Sequence, residues 1–237
     1  METSAFVDDT RAQLGSEFDV VADRYDLLQR LNPGYRKHLR WSAERLKAPA
    51  RGRILDLCCG TGLSTEALVA TYPHAEITGL DLSPGMLETA RKKPKLRNVR
   101  FVQGNAMDLA ASGVNGPFDA VLMAYGIRNV PNPDLCLSRL REHMAVDGRI
   151  AFHEYLVSGS IVATAVWNAV ATAIIVPLGK LATGRAELFQ YLRQSVNNFD
   201  GLDQFERRVA RAGFRAVHTE PMNGWQRGIV HTVLATR

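Results

Sequence analysis

A short apolar run that ends in a tight glycine turn constrains this chain more than any other feature. The run covers Ile54 to Leu57, passes Cys58 and Cys59, and turns through Gly60, Thr61 and Gly62. It predicts a strand, and Leu63 to Ala70 predicts a helix directly after the turn. Gly60 and Gly62 permit positive φ and let the backbone approach a ligand closely. The helix N-terminus offers N–H groups to a polar ligand. Any nucleotide cofactor suits such a turn, so the surrounding residues must choose among them.

Asp81 ends a second apolar run, Ile77 to Asp81, about twenty residues further on. A carboxylate there can accept both ribose hydroxyls of a nucleoside, with Leu82 beside it in the same site. A dinucleotide fingerprint wants a third glycine three positions after Gly62, and Thr65 stands there instead. Asp56, at the carboxyl end of the first strand, suits the ammonium of an amino-acid-bearing cofactor; capping the turn is its plainer role. Together these residues favour S-adenosylmethionine over NAD.

The rest of the chain alternates. Strands are expected at Ile77–Leu80, Val99–Val102, Ala120–Met123 and Arg149–His153. Helices are expected at Pro84–Lys92 and Asp134–Met144. Helix Leu202–Ala212 then precedes strands Phe214–Thr219 and Ile229–Ala235, which fit a closing hairpin at the sheet edge. The pattern implies an α/β fold: a Rossmann-like, doubly wound sheet of seven strands, mostly parallel with an antiparallel closing strand. Upstream, Ser16–Asp19 resembles a helix start, and a second helix is expected at Tyr35–Leu46; both are placed to lie over the cofactor as a lid, or to pack on the sheet edge as a helical extension. The division that follows is residues 1–50 as a helical lid, 51–156 as the cofactor-binding core, 157–200 as a helical substrate lid and 201–237 as the end of the core sheet.

Composition sets outer bounds. The chain has 237 residues, is 46% hydrophobic and carries a net charge of +5, which suits one globular domain. The densest basic cluster, Arg91–Arg97, falls at an expected helix end, where cations suit the dipole. No basic patch with interleaved aromatics appears, so a nucleic-acid partner is not expected. Cys58, Cys59 and Cys136 lack metal-ligand spacing and read as packing, in keeping with a reducing cytoplasm. No metal is expected. The acidic start, Met1–Asp9, lacks the apolar core of a leader.

One segment breaks the rhythm. Ile161 to Leu178 carries no formal charge over eighteen residues. Its length admits a transmembrane helix. Its place between fifth strand and late helices, its alanines and threonines, and Pro177 oppose that. The expectation is a lid helix over a hydrophobic substrate tunnel, ended by Pro177, with Thr164, Asn168 and Thr172 forming one polar stripe. Peripheral contact with the inner face of a membrane fits the same segment.

Seven stretches bear a family likeness: Ala22–Asp26, Ile54–Gly62, Gly79–Pro84, Gly104–Ala106, Phe118–Val121, Tyr125–Val130 and Tyr191–Ser195. On these the chain resembles the ubiquinone/menaquinone-biosynthesis C-methyltransferases over nearly its whole length. The run Gly126–Val130 is the most specific piece. Departures fall at Gln29, Leu63, Ala124, His153 and Asp200. The resemblance implies that Thr61, Asp81, Asn105 and Ala106 contact S-adenosylmethionine. The loop after strand three can also face an adenine, which independently suits Asn105.

Ring C-methylation needs a carbon made electron-rich by an ionised phenol, so the site must remove or stabilise a phenolic proton. Ligands of such sheets bind beyond the strand carboxyl ends. The expected catalytic residues are therefore Arg128, through its charge, Asn129, orienting the substrate oxygen, Tyr25, binding the ring or relaying a proton, and His153 as the conventional base. A hydrogen-bonded structural histidine is the plainer role of His153. The expected partner is a hydrophobic aromatic small molecule, and the protein a monomer or homodimer. O- or N-methylation of another hydrophobic aromatic is the alternative.

Overall fold

In the computed structural model, which describes Asp26, Gln29 and residues 32–237, the apolar runs become strands of one sheet. These are β1 (Arg53–Leu57), β2 (Glu76–Asp81), β3 (Arg100–Gln103), β4 (Phe118–Ala124), β5 (Met144–Tyr155), β6 (Arg215–Pro221) and β7 (Val230–Thr236). The sheet order is β3-β2-β1-β4-β5-β7-β6. β1 pairs in parallel with β2 and β4, β2 with β3, and β4 with β5. Only β7 runs the other way, between β5 and β6. The expected closing hairpin is therefore present, with its second strand inserted inward.

Side chains alternate between two cores, as a sheet covered on both faces requires. Ile54, Ala120 and Leu122 face one core; Leu55, Val121 and Met123 face the other. The first core receives α1 (Tyr35–Leu46) and α2 (Leu63–Thr71). Tyr35, Leu39, Ala43 and Leu46 recur at helical spacing on the buried face of α1. The second core receives α4 (Pro133–Glu142) through Cys136, Leu137 and Leu140. Helix α3 (Pro84–Arg91) lies between β2 and β3 in sequence, and Ser83 caps it, accepting from Met86 N–H.

β5 begins earlier than expected. Met144 pairs with Phe118, and the register shifts before Ala120 pairs with Arg149. Asp147, at φ 58°, takes up the irregularity, so the Asp147–Gly148 pair is a bulge inside the strand rather than a turn before it.

After β5 the uncharged segment forms α5 (Ile161–Val170), a π-helical turn (Ala171–Ile175) and α6 (Val176–Thr183). Pro177 does not end it. Proline lacks the N–H that a regular α-helix needs, and the wider turn just before it absorbs the mismatch. The helix runs on to Gly184, whose φ of 77° closes it. Thr164 and Asn168 point inward, while Thr172 is exposed. Helices α7 (Glu187–Asn198) and α8 (Leu202–Arg211) complete the chain before β6. The helix expected from Ser16 lies outside the described residues.

Candidate active site

The strand order reverses between β1 and β4, and a cavity of about 220 Å³ opens beyond their carboxyl ends. The β1 turn forms one wall. Cys58, Gly60 and Gly62 all have positive φ, at 61°, 53° and 82°. A Cβ on Gly62 would meet Leu96 Cδ1 at 2.6 Å, so that glycine serves packing. A Cβ on Gly60 would meet nothing within 4 Å, so this glycine leaves its space to the cavity. Thr61, next to it, donates to Asp26.

Asp81, at the end of β2, accepts from Gly60 N–H at 2.8 Å and from Ser83 N–H at 2.9 Å. These bonds fix the carboxylate at the cavity rim and leave it capacity for ribose hydroxyls, since a carboxylate accepts about four. Leu82 beside it is exposed and lines the same cavity. Across from it, Asn105 Oδ1 accepts from Met107 N–H at 2.9 Å, an Asx turn that holds the loop after β3. Asn105 and Ala106 both face the cavity.

Asp56 sits behind this wall, fully buried. Its Oδ2 accepts from the Ser64 and Thr65 hydroxyls at 2.8 and 2.6 Å. Its Oδ1 has no hydrogen-bond partner among the described residues. Burial pushes the carboxyl up to about 7, against the pull of those two hydroxyls. A buried acceptor without a donor is costly, and a cationic ligand group would answer it. The open space before Gly60 and the rim carboxylate of Asp81 fit S-adenosylmethionine; Asp56 lies one layer behind them, outside the cavity lining.

The β4 side supplies the other wall. Tyr125 adopts φ 56°, a strained left-handed conformation for an aromatic residue, and its N–H donates to His153 O at 2.7 Å. Its ring stacks on Tyr35 at 5.5 Å and meets Tyr155 at 4.9 Å. Arg128, in the 3-10 turn Ile127–Asn129, donates to Tyr125 O at 2.8 Å and to Glu154 Oε1 at 2.6 Å. Burial works against the Arg128 charge, but Glu154 and the nearby tyrosines more than offset it, and its pKa is raised. Burial likewise raises the Glu154 carboxyl, against the pull of Arg128. Asn129 donates to Tyr125 O at 3.2 Å and accepts from Tyr191 at 3.1 Å.

His153 lies in the middle of the fold and does not line the cavity. Its ring is hydrogen-bonded at both nitrogens, to Ser42 Oγ at 2.8 Å and to the Tyr125 hydroxyl at 2.9 Å. Burial depresses its pKa to about 3, so it is neutral near pH 7. A base in direct contact with substrate is therefore not what the geometry offers. His153 reaches the cavity through the Tyr125 hydroxyl.

The cavity thus joins Gly60, Thr61, Asp81, Leu82, Asn105 and Ala106 with Arg128 and Asn129. Asp56, Gly62 and His153 stand behind the walls. Tyr25 lies outside the described residues. Tyr35 of α1 and Tyr191 of α7 join the site without having been expected there. The helical spacing of α1 put Tyr35 on an apolar face, but nothing local said what that face meets. No residue of Ile161–Leu178 lines this cavity.

A model of the ubiE/COQ5 methyltransferase family matches residues 6–236. The demethylmenaquinone methyltransferase of Thermus thermophilus is 35% identical over 204 residues, covering 83% of this chain and 90% of its own. The ubiquinone/menaquinone biosynthesis C-methyltransferase of Bradyrhizobium diazoefficiens is 32% identical over 227 residues, covering 91% and 88%. Among solved structures, a possible histamine N-methyltransferase from Thermotoga maritima superposes with a TM-score of 0.63 at 17% identity, covering 92% of this chain and 97% of that one. A putative O-methyltransferase from Nostoc punctiforme gives 0.62 at 17% identity, covering 90% and 59%. Likeness at that identity shows the fold alone.

Proposed function

The chain belongs to the ubiE/COQ5 methyltransferase family, and on that footing we propose how its site works as an S-adenosylmethionine-dependent C-methyltransferase of a hydrophobic quinol ring in quinone biosynthesis. One observation carries the reading: a cavity at the strand-order reversal is lined by Gly60, Asp81 and Asn105 on one side and by Arg128 and Asn129 on the other.

When bound, S-adenosylmethionine supplies an electrophilic sulfonium methyl. Asp81 holds the ribose, Asp56 answers the ammonium, and the loop of Asn105 and Ala106 meets the adenine beside Leu82. Gly60 and Thr61 let the backbone approach, and Gly62 keeps the turn tight. Holding the ring carbon in line with the methyl is worth up to about 7–11 kcal/mol.

Arg128 is too basic to accept a proton. Its charge stabilises the ionised quinol oxygen, and Glu154 keeps the guanidinium in place. Asn129, held by Tyr191, orients that oxygen. Once the new carbon–carbon bond forms, the ring carbon releases its proton and aromaticity returns. That proton leaves to water through the open side of the cavity; His153, kept neutral by burial, holds the Tyr125 hydroxyl and so the ring that lines the site. Tyr25 is assigned to binding the substrate ring or relaying a proton. We place the protein in the cytoplasm, as a monomer or homodimer that meets its substrate at a membrane surface.

Deleting the gene tests this in the cell. The expected result is an accumulated quinone precursor lighter by one methyl. An unchanged quinone pool, with a different aromatic metabolite lacking an O- or N-methyl group, would move the assignment to the alternative.

A further inference from the structure

The helix Ile161–Thr183 is turned inside out. It has 23 residues and no charged side chain before Lys180, yet only 17% of its apolar stretch is buried. A helix on a water-exposed surface keeps its polar side outward. Here Thr164 and Asn168 face the protein. Thr164 donates to Val157 O at 3.1 Å, and Asn168 exchanges amide hydrogen bonds with Asn197 of α7 at 3.3 and 2.9 Å. Outward stand Ile161, Val162, Val166, Ile174, Leu178 and Leu181. Ile161 is 89% exposed and Leu181 84%; twenty residues of helix put them about 30 Å apart. The other outward positions up to Pro177 are alanine, threonine and proline.

We propose that this face lies flat in the interfacial layer of an anionic lipid bilayer. A span across the membrane is opposed by the inner face. Trp167 is fully buried there, its indole N–H bonded to Arg193 O at 3.3 Å, and the Asn168–Asn197 pair would have to break in lipid. Charge selects lipid over a second copy. No Asp or Glu occurs between Glu154 and Glu187, whereas Lys180 and Arg185 are exposed at the end of the helix. Anionic headgroups complement that edge, whereas a second copy of the helix would bring only the same cations. A long amphipathic face of this kind binds by apolar area plus attraction to anionic lipid.

The opposite, inner face of the helix packs toward the cavity wall. The Trp167 ring meets Tyr155 at 4.7 Å, and Tyr155 meets cavity-lining Tyr125 at 4.9 Å. The helix that carries the docking face is thus two aromatic side chains from the site. The docking rests on the proposed quinol chemistry only for its purpose; the face itself does not depend on it.

The full chain is sedimented with vesicles of phosphatidylcholine alone and of equal parts phosphatidylcholine and phosphatidylglycerol. Binding is expected to the anionic vesicles, weakened by salt and released by carbonate. The double variant Ile161→Glu/Leu181→Glu should lower the partition on the order of a hundredfold with unchanged circular dichroism and melting temperature. Lys180→Glu/Arg185→Glu should remove the preference for anionic vesicles. Failure to bind either vesicle, resistance to carbonate, or a dimer that Ile161→Glu/Leu181→Glu dissociates would each overturn the proposal. Methylation of a tail-less quinol in detergent-free buffer reads the chemistry separately. If it is absent while vesicle binding stands, the quinol reading fails and the docking does not.

Discussion

Three side chains carry separable claims at the scale of the residue. Asp56 links protonation to stability and, through the ammonium contact proposed for it, to cofactor affinity. Its carboxyl sits at about 7 in the folded chain, against ~3.9 in a model peptide. Between those values the folded state holds a proton that the unfolded state has lost. Stability therefore falls as pH rises through that window and is level above it. His153, held at about 3, gives the opposite slope between about 3 and 6.5. The two are separated by comparing variants. Urea melts of Asp56→Asn should lose the decline between about pH 4 and 7, while S-adenosylmethionine affinity should lose its rise with pH. An identical slope in both proteins would free Asp56 of this role.

Asp81→Ala removes the acceptor for Gly60 and Ser83 N–H and, in the proposed site, for the ribose hydroxyls. Cofactor binding should weaken by roughly 1.5–3 kcal/mol, read by calorimetry; an unchanged dissociation constant would take Asp81 out of the site. Arg128→Ala should impair single-turnover methyl transfer far more than cofactor affinity. It also strands the buried Glu154, so stability should drop by about 3–5 kcal/mol. Adding Glu154→Gln should restore stability but not turnover. Recovery of both would make the arginine purely structural.

At the scale of the element, legibility followed locality. Strands β1, β2 and β3 and helix α2 were readable within a residue or two, because apolar runs, glycines and caps set their ends. The reading of Pro177 as a terminator went astray because a π-helical turn accommodates a proline, and no local signal announces such a turn. The Thr164–Asn168 stripe was visible in the spacing, but its direction was not. Polar residues on an apolar helix face water by default, and only the tertiary partner, Asn197, reverses that. Val166 is accordingly on the outer face, 40% exposed, and lines no part of the cavity. Val166→Asp should leave the Michaelis constant of a tail-less quinol unchanged and the melting temperature within a degree or two. Trp167→Ala, on the inner face, should cost about 3–5 kcal/mol in urea unfolding. Equal effects from the two substitutions would contradict the assigned faces.

At the scale of the whole molecule, the sheet order brings two walls of one cavity together. The β1 and β2 ends bring Gly60 and Asp81; the β4 and β5 ends bring Arg128, Asn129 and Glu154. The wall proposed for the cofactor was legible in the chain because one turn and one carboxylate define it; the wall proposed for the substrate was less so. Arg128 and Asn129 stand in a contiguous run, but Tyr35, Ser42 and Tyr191 arrive from helices far away in sequence. Their roles exist only once the helices pack, and long-range contacts leave no mark on spacing. The same packing moved His153 from an expected contact with substrate to a buried support for Tyr125.

The direct test of this arrangement is the position of the transferred methyl. The purified protein is incubated with methyl-labelled S-adenosylmethionine and a reduced, short-tailed demethyl quinol, and the label is located in the product by nuclear magnetic resonance. The expected result is label on a ring carbon, formed by the wild type and lost in Arg128→Ala. Label on an oxygen or nitrogen, or no transfer despite measurable cofactor binding, would contradict it.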